Sequence, residues 1–307
     1  MFLLKPVTKQ IIWGGDKLPK EFGIGNPDEK VAEAWQLTCR EDGDNIIVGG
    51  EYDGLKFSEY VKNNPGCIGK KNKLSKFPLL IKLIDAKDDL SIQVHPDDEY
   101  ASIHTDDMGK TEMWYIVDCD EGAHLVMGLK DKYPRDVLKK AIEEGKLEDY
   151  VKYVPVKKGD TFFIPSNTFH AICKGILIAE IQQSSNITYR LYDYNRRQKD
   201  GSLRQLHIEQ GLDCIERYDE NAIKAKMYDD VISDNPFFKV RVVKTEKEKT
   251  IEVNDESFVH IMCIDGECTL ENGNTKLNVF KGNSVFCPAG EGTVKAEGKC
   301  TLVVSSL

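Results

Sequence analysis

Short apolar runs, broken every few residues by Gly, Pro, Asn or Asp, set the rhythm of this chain. The runs LSIQVH (90–95), MWYIVD (113–118), AHLVMG (123–128), TFFIP (161–165), AICKGILIAEI (171–181), KVRVVK (239–244) and FVHIMCI (258–264) are rich in β-branched and aromatic residues. Such runs read as strands. Helical periodicity is rare. Residues 134–146 carry a Pro near the start, apolar positions at Val137, Leu138, Ala141 and Ile142, and Gly145 near the end, which predicts a helix. Residues 203–217 predict a second. Many short strands with turn-punctuated spacing imply antiparallel sandwiches or barrels with a few short helices.

One segment is echoed. GDTFFIPSNTFHAI at 159–172 and GNSVFCPAGEGTVK at 282–295 share a Gly, an apolar strand, a Pro, a small turn and a further strand. Gly122 and Gly128 precede the first copy, and Gly266 and Gly273 precede the second. Two related β modules are expected. His170 follows Pro165 by five residues in the first copy, whereas Thr293 holds that place after Pro288 in the second.

Composition narrows the classes. A net charge of −9 with no basic run argues against nucleic acid and acidic membrane as partners. No apolar stretch approaches the ~20 residues of a membrane-spanning helix, and the N-terminal MFLLKPVTK lacks the pattern of a secretion signal. Nine cysteines without a CxxC pair read as reduced thiols in the cytoplasm. Cys39, Cys173 and Cys263 fall inside apolar runs and are expected to be small buried hydrophobes.

Candidate chemistry gathers in the first module. Gln93 and His95 stand two apart on a strand and so share a face. Glu112 opens a strand with Trp114 and Ile116 on its own face. His170 follows a Pro-Ser-Asn turn and starts a strand expected to return beside the previous one. One amide oxygen, two imidazoles and one carboxylate suit Zn²⁺ or another first-row ion, and a position left open marks a reactive site. His104, in the polar loop IHTDDMG, is expected at the surface, and His124, His207 and His260 are expected to be structural.

The Gly-x5-Pro-x-Asn-x2-His frame resembles the second cupin motif, with Asn167 in the place usually held by Gly, a position that tolerates a left-handed backbone. Gln93-x-His95 followed by Glu112 is similar to the first motif, with Gln for the usual His. Together with IIWGGDKL (11–18), VAEAWQLT (31–38), FPLLIKLIDAKDDLSIQVHPDD (77–98), GKTEMWYIVD (109–118), IPSNTFHAI (164–172) and ITYRLYDYNR (187–196), this text resembles the type I phosphomannose isomerases in their short bacterial form. The resemblance implies a mainly β fold of two cupin-type jelly-roll modules. Residues 1–235 would be the catalytic module and 236–307 a degenerate, metal-free one. It implies an aldose–ketose isomerase that interconverts mannose 6-phosphate and fructose 6-phosphate through a cis-enediol.

The implied metal ligands are Gln93, His95, Glu112 and His170, holding one Zn²⁺ or other divalent ion per chain. The implied catalytic arginine is Arg190, placed by alternation on a face with Thr188 and Tyr192, where a guanidinium suits an enediolate. Lys110 is a candidate proton carrier or hydroxyl donor, and Ser91 a substrate donor. Lys82, Lys87 and Arg197 are weak candidates for the phosphate, and Trp13 and Trp35 for packing. The expected partner is a small hexose 6-phosphate, with the chain a monomer or weak homodimer. Two other readings stay open: an Fe²⁺ cupin oxygenase, which gives no reason for Arg190, and a non-catalytic sugar-phosphate-binding cupin, which would be marked by loss of a ligand or the arginine.

Overall fold

The computed structural model describes residues 1–198, 200–219 and 223–307. Strands dominate, and the helices are few and short, so the mainly β cupin architecture expected from the sequence is the one formed. Three large antiparallel sheets stack face to face. A six-stranded sheet runs, by neighbour, through Thr161–Ile164, Glu112–Cys119, Ile176–Gln183, Leu79–Ala86, Glu33–Leu37 and Val7–Lys9. A five-stranded sheet runs through Val151–Pro155, His124–Leu129, His170–Ile172, Ile92–Val94 and Tyr189–Tyr192. The third, ten-stranded sheet carries the C-terminal strands, and Phe2–Lys5 is hydrogen-bonded to its Ser284–Cys287 strand. Lys226–Tyr228 and Val231–Asp234 extend the same sheet through Lys239–Thr245.

The central six-stranded sheet is covered on both faces, which explains why the stretch Met113–Val117 within its Glu112–Cys119 strand reads as continuous apolar text instead of alternating. Leu79, Ile81 and Leu83 face the C-terminal sheet, where they join Phe258, Met262 and Phe286. Ile84, with Trp114, Ile116 and Ile178, faces Leu125 and Ile172 of the five-stranded sheet. The outer face of that sheet is roofed by the helices Arg135–Glu143 and Ile208–Glu216, through Leu138, Ile142 and Leu212.

Several local expectations shift. The second helix starts at Ile208, not at 203. Residues 203–207 are drawn out instead, because the Gln205 carbonyl accepts from Arg190 and Leu203 bridges to Arg197. His170 does not begin a strand beside the previous one. Thr161–Ile164 belongs to the six-stranded sheet and His170–Ile172 to the five-stranded one, so the intervening turn carries the chain across the sandwich. Tyr192 does not share a face with Arg190. A bulge between the two turns Tyr192 into the core with Leu191. Cys173 and Cys263 are buried, but Cys39 is only partly so.

The echoed segments share their backbone. Gly159 and Gly282 have φ of 92° and 93°, and Asn167 takes the left-handed conformation (φ 68°) at the counterpart of Gly290 (φ 85°). Their interiors differ. Glu112 is paired across strands with Ile164, and the matching partner of Cys287 is Val259. Thr293 turns outward to donate to Glu252 at 2.9 Å, and Val294 fills the inner position. The second module therefore encloses an apolar core where the first encloses polar groups.

Phe286 is fully buried between the modules, with ring centroids 4.7 Å from Phe57 and 5.3 Å from Phe258. Phe286→Ala should lower unfolding free energy by about 3–5 kcal/mol, the loss typical of a buried ring with its cavity. Urea denaturation checks this; a loss below ~1 kcal/mol would show that the inter-sheet layer is not where the stability lies.

Candidate active site

Ser91, Gln93, His95, His170 and Arg190 come from the five-stranded sheet or its ends, and Lys110 and Glu112 from the start of a strand in the sheet opposite, and the sandwich brings them together. His95, Glu112 and His170 place their ligand atoms within 4.8 Å of one another, and all three are buried. His95 Nε2 stands 3.7 Å and His170 Nε2 3.4 Å from the two oxygens of the Glu112 carboxylate. Each imidazole is oriented from behind. His95 Nδ1 donates to the Ile187 carbonyl at 2.7 Å, and His170 Nδ1 to the Thr168 carbonyl at 2.8 Å. With Nδ1 carrying the proton, both Nε2 lone pairs aim at the carboxylate.

His170 Nε2 and Glu112 Oε1 are buried without a hydrogen-bond partner. Buried polar atoms are nearly always satisfied, so two lone-pair donors facing each other at 3.4 Å fit a cation between them. The three residues form a group that could hold a metal ion.

Gln93 is the fourth expected member. Its amide nitrogen lies 3.5 Å from His95 Nε2 and its oxygen accepts from Ser91 Oγ at 3.4 Å. Ligation by the oxygen therefore requires the amide to turn about its terminal bond. Lys110 Nζ lies 3.1 Å from His95 Nε2 and 3.2 Å from Glu112 Oε2.

The HPDD text after the strand holds these parts in register. Asp97 caps the helix Asp98–His104 by accepting from Tyr100 N–H at 2.7 Å, and its other oxygen accepts from the Asn167 amide at 2.8 Å. The Asn167 N–H donates to the His95 carbonyl at 2.7 Å. Asp98 accepts from Gly109 N–H at 2.8 Å, and the Lys110 N–H donates to the Pro96 carbonyl at 3.0 Å. The turn before His170 and the loop before Glu112 are thus both tied to the end of the His95 strand.

A cavity of about 290 Å³ opens in front of this group. Gln93, Lys110 and Ser91 line it on one side, with Arg190, Arg204 and His207 beyond them. Arg190 is paired with Gln93 in strand register, and its Nη1 donates to the Gln205 carbonyl at 2.9 Å. Trp13 is buried, as expected of a packing residue, and also forms part of the wall; Trp35 is buried and donates to Glu33. Lys87 and Arg197 are exposed and lie outside the lining.

Sequence reasoning missed three features. Glu180 and Lys82 are cross-strand neighbours, flanked in the same row by Trp114 and Trp35, and form a buried ion pair at 3.1 Å on the cavity wall. Arg204 and His207 enter the lining from a segment read as helix. Glu180 was visible only as one polar residue inside ILIAEI, a signal that pointed to the position without naming a partner.

The electrostatics follow from burial. Removal from water holds His95 well below the usual histidine range, with Lys110 and His170 adding to the effect, and holds His170 at about 4. Burial, with Glu180 nearby, pushes Glu112 up to about 7. Burial opposes ionisation of Glu180 too, but Lys82 and Lys110 outweigh it and hold that carboxyl below the usual range.

A family model described as phosphomannose isomerase type I, catalytic domain, matches residues 1–131, and one described as mannose-6-phosphate isomerase, cupin domain, matches 230–307. The mannose-6-phosphate isomerase ManA of Bacillus subtilis is 36% identical over 311 residues, which cover 99% of this chain and 98% of that protein. The chain belongs to the type I phosphomannose isomerases. A second family member, the mannose-6-phosphate isomerase of Streptococcus mutans, is 43% identical over 70% of this chain and 67% of its own length. The crystal structure of the mannose 6-phosphate isomerase from Bacillus subtilis superposes with a TM-score of 0.89 at 33% identity, covering 100% of this chain and 99% of that one. A putative mannosephosphate isomerase from Archaeoglobus fulgidus, 18% identical with a TM-score of 0.76, shares the fold.

The pKa of Glu112 sets a pH dependence. A cation needs the ionised carboxylate, and below about pH 7 the metal-free group holds its proton, so binding must displace it. Affinity for Zn²⁺ should fall as pH drops from 8 to 6, by up to about tenfold per unit below the pKa for one displaced proton. Competition with a chromogenic chelator measures this, and a pH-independent affinity would mean that Glu112 is already ionised.

Proposed function

We propose that this chain is a metal-dependent isomerase interconverting mannose 6-phosphate and fructose 6-phosphate. The observation that carries the reading is one cavity lined by Arg190, Gln93 and Lys110, the last of which lies 3.1 Å from His95 and 3.2 Å from Glu112 of the oriented His–Glu–His group, in a member of the type I family whose full-length relative bears that activity as its name. The oxygenase alternative leaves Arg190 and the polar cavity wall without a task, and a non-catalytic binder would have lost part of this set.

His95, Glu112 and His170 are the proposed ligands, with the Gln93 amide oxygen as the fourth. Two neutral imidazoles and a carboxylate suit Zn²⁺, one ion per chain. When bound, the ion supplies polarisation of the sugar's carbonyl and hydroxyl oxygens.

The remaining work belongs to side chains. Moving a proton between C1 and C2 of the open-chain sugar creates an enediolate whose negative charge the ground state lacks. Arg190 is assigned to that charge. Its Nε is buried without a hydrogen-bond partner and its Nη1 is tethered to Gln205, so the guanidinium is held before the charge appears and stabilises the transition state more than the substrate. Lys110 Nζ, within reach of the ligand group, is assigned the protons of sugar oxygens O1 and O2. Ser91 Oγ, on the wall beside Gln93, donates to a sugar hydroxyl. The Lys82–Glu180 pair keeps this wall polar and rigid. The nine cysteines are free thiols, which suits a reducing compartment such as the cytoplasm.

The purified Zn²⁺-loaded chain should interconvert the two hexose phosphates and lose that activity to a chelator. Arg190→Ala should retain bound metal while kcat falls roughly 10²–10³-fold, the loss seen when a preorganised donor is removed. Arg190→Lys keeps the charge but not the planar fork and should recover part of the rate. A rise in KM alone would make Arg190 an anchor and not a catalytic group.

A further inference from the structure

The isomerase reading needs a place for a phosphate dianion, and the cations on the cavity wall differ in how far they are already used. Lys82 is held between Glu33 at 3.7 Å and Glu180 at 3.1 Å. Lys110 stands against Glu112. Arg190 is assigned to the reacting end of the sugar. Arg204 is the remaining cation of the lining.

Arg204 is built in rather than loose. Its side chain is 14% exposed, its Nε donates to Asp193 Oδ2 at 2.7 Å, and its Nη2 donates to the other oxygen of the same carboxylate. That bidentate pair fixes the guanidinium plane. Nη1, the third arm, makes no hydrogen bond among the described residues. Asp193 also accepts from Arg196 at 2.5 Å, so two guanidinium groups share one carboxylate, and a third, Arg190, is near enough to feel its charge. The mutual repulsion is felt at Arg190, whose pKa is held below the usual arginine value by burial and then by Arg204. Excess positive charge in a partly buried wall favours an anion.

The neighbouring backbone adds to this. The helix Ile208–Glu216 begins at His207, which makes no side-chain cap. A helix start carries unpaired N–H groups and a partial positive charge. His207 Nδ1 accepts from the Arg190 N–H at 3.3 Å, which puts the ring proton on Nε2, a donor on a residue that lines the same cavity. The spacing also suits a sugar phosphate. Arg190 sits one strand beyond Gln93, and His207 is hydrogen-bonded to Arg190 on its far side, at 2.8 Å between backbones. His207 thus lies about two strand spacings, roughly 10 Å, from the strand that carries Gln93 and His95, and Arg204 enters the lining from the same segment. A hexose 6-phosphate likewise carries its phosphate at the opposite end of the carbon chain from C1 and C2.

We propose that Arg204, locked onto Asp193 beside His207 and the start of the Ile208–Glu216 helix, is the phosphate anchor of the substrate site. The inference rests on the isomerase reading for its ligand but not for its test. Three quantities are measured on the metal-loaded chain: kcat and KM for mannose 6-phosphate, and the calorimetric Kd of inorganic phosphate. In Arg204→Gln, KM and phosphate Kd should rise together by roughly 10- to 100-fold, the loss of a hydrogen bond between charged groups, with kcat and bound metal largely kept. Arg204→Lys should recover part of both. If Arg204→Gln fails to fold for want of its bonds to Asp193, the lysine variant decides: intermediate KM and Kd support the anchor, and wild-type values for both overturn it. A loss confined to kcat, or a phosphate Kd unmoved in folded Arg204→Gln, also overturns it. Wild-type protein that binds phosphate through Arg204 yet turns over no mannose 6-phosphate would sink the isomerase reading and leave the anchor standing.

Discussion

A carboxylate with no exposed surface has to be compensated on every side, and Glu112 is such a group. Leaving a charge unpaired in an interior costs several kcal/mol. Here the surroundings are two imidazoles kept neutral by burial, one ammonium, and a second carboxylate whose own partner is Lys82. That arrangement is poor for stability and good for holding a cation. Everything around it is arranged to keep the imidazole lone pairs pointing at one place.

The scaffold meets that demand by cross-linking strand ends. Asp97 and Asp98 tie the end of the His95 strand to the Asn167 turn and to the loop that carries Lys110. Carbonyls of Ile187 and Thr168 fix the rings. Behind, the six-stranded sheet is clamped against the C-terminal module by an aromatic layer centred on Phe286. The second module repeats the turn geometry of the first but fills its interior with Val259, Val294 and their neighbours. It supports the sheet that carries Glu112, and among the described residues the one group able to hold a metal lies in the first module.

The cavity wall divides its charges by task. Near Glu112 the positive and negative groups are matched pairwise, which keeps the site polar without a strong net field. On the far side, Arg196 and Arg204 share Asp193 with Arg190 nearby, and the balance tips positive. A substrate with a neutral, reactive end and an anionic tail would be oriented by that difference before any specific contact to its hydroxyls.

Much of this was legible in the sequence, because the decisive features are local. Short apolar runs rich in β-branched and aromatic residues, bounded by Gly, Pro, Asn and Asp, identified the strands. The spacing of Gln93 and His95 put both at one sheet face, and the Gly-x5-Pro-x-Asn-x2-His frame fixed a turn whose left-handed residue only Gly or Asn takes easily, as the φ of 68° at Asn167 confirms. The runs that carried the resemblance named the family. What remained hidden was non-local. The sandwich crossing between Thr161–Ile164 and His170–Ile172 depends on which sheet each strand joins. The bulge after Arg190 breaks an alternation that the sequence keeps intact. Arg204 and His207 read as one face of a helix, because Leu203–Glu216 has helical periodicity throughout. Only the tertiary structure decided otherwise: Asp193 and the Arg190 strand draw residues 203–207 out straight, and hydrogen bonds between segments distant in the chain outweigh a local preference worth only tenths of a kcal/mol per residue.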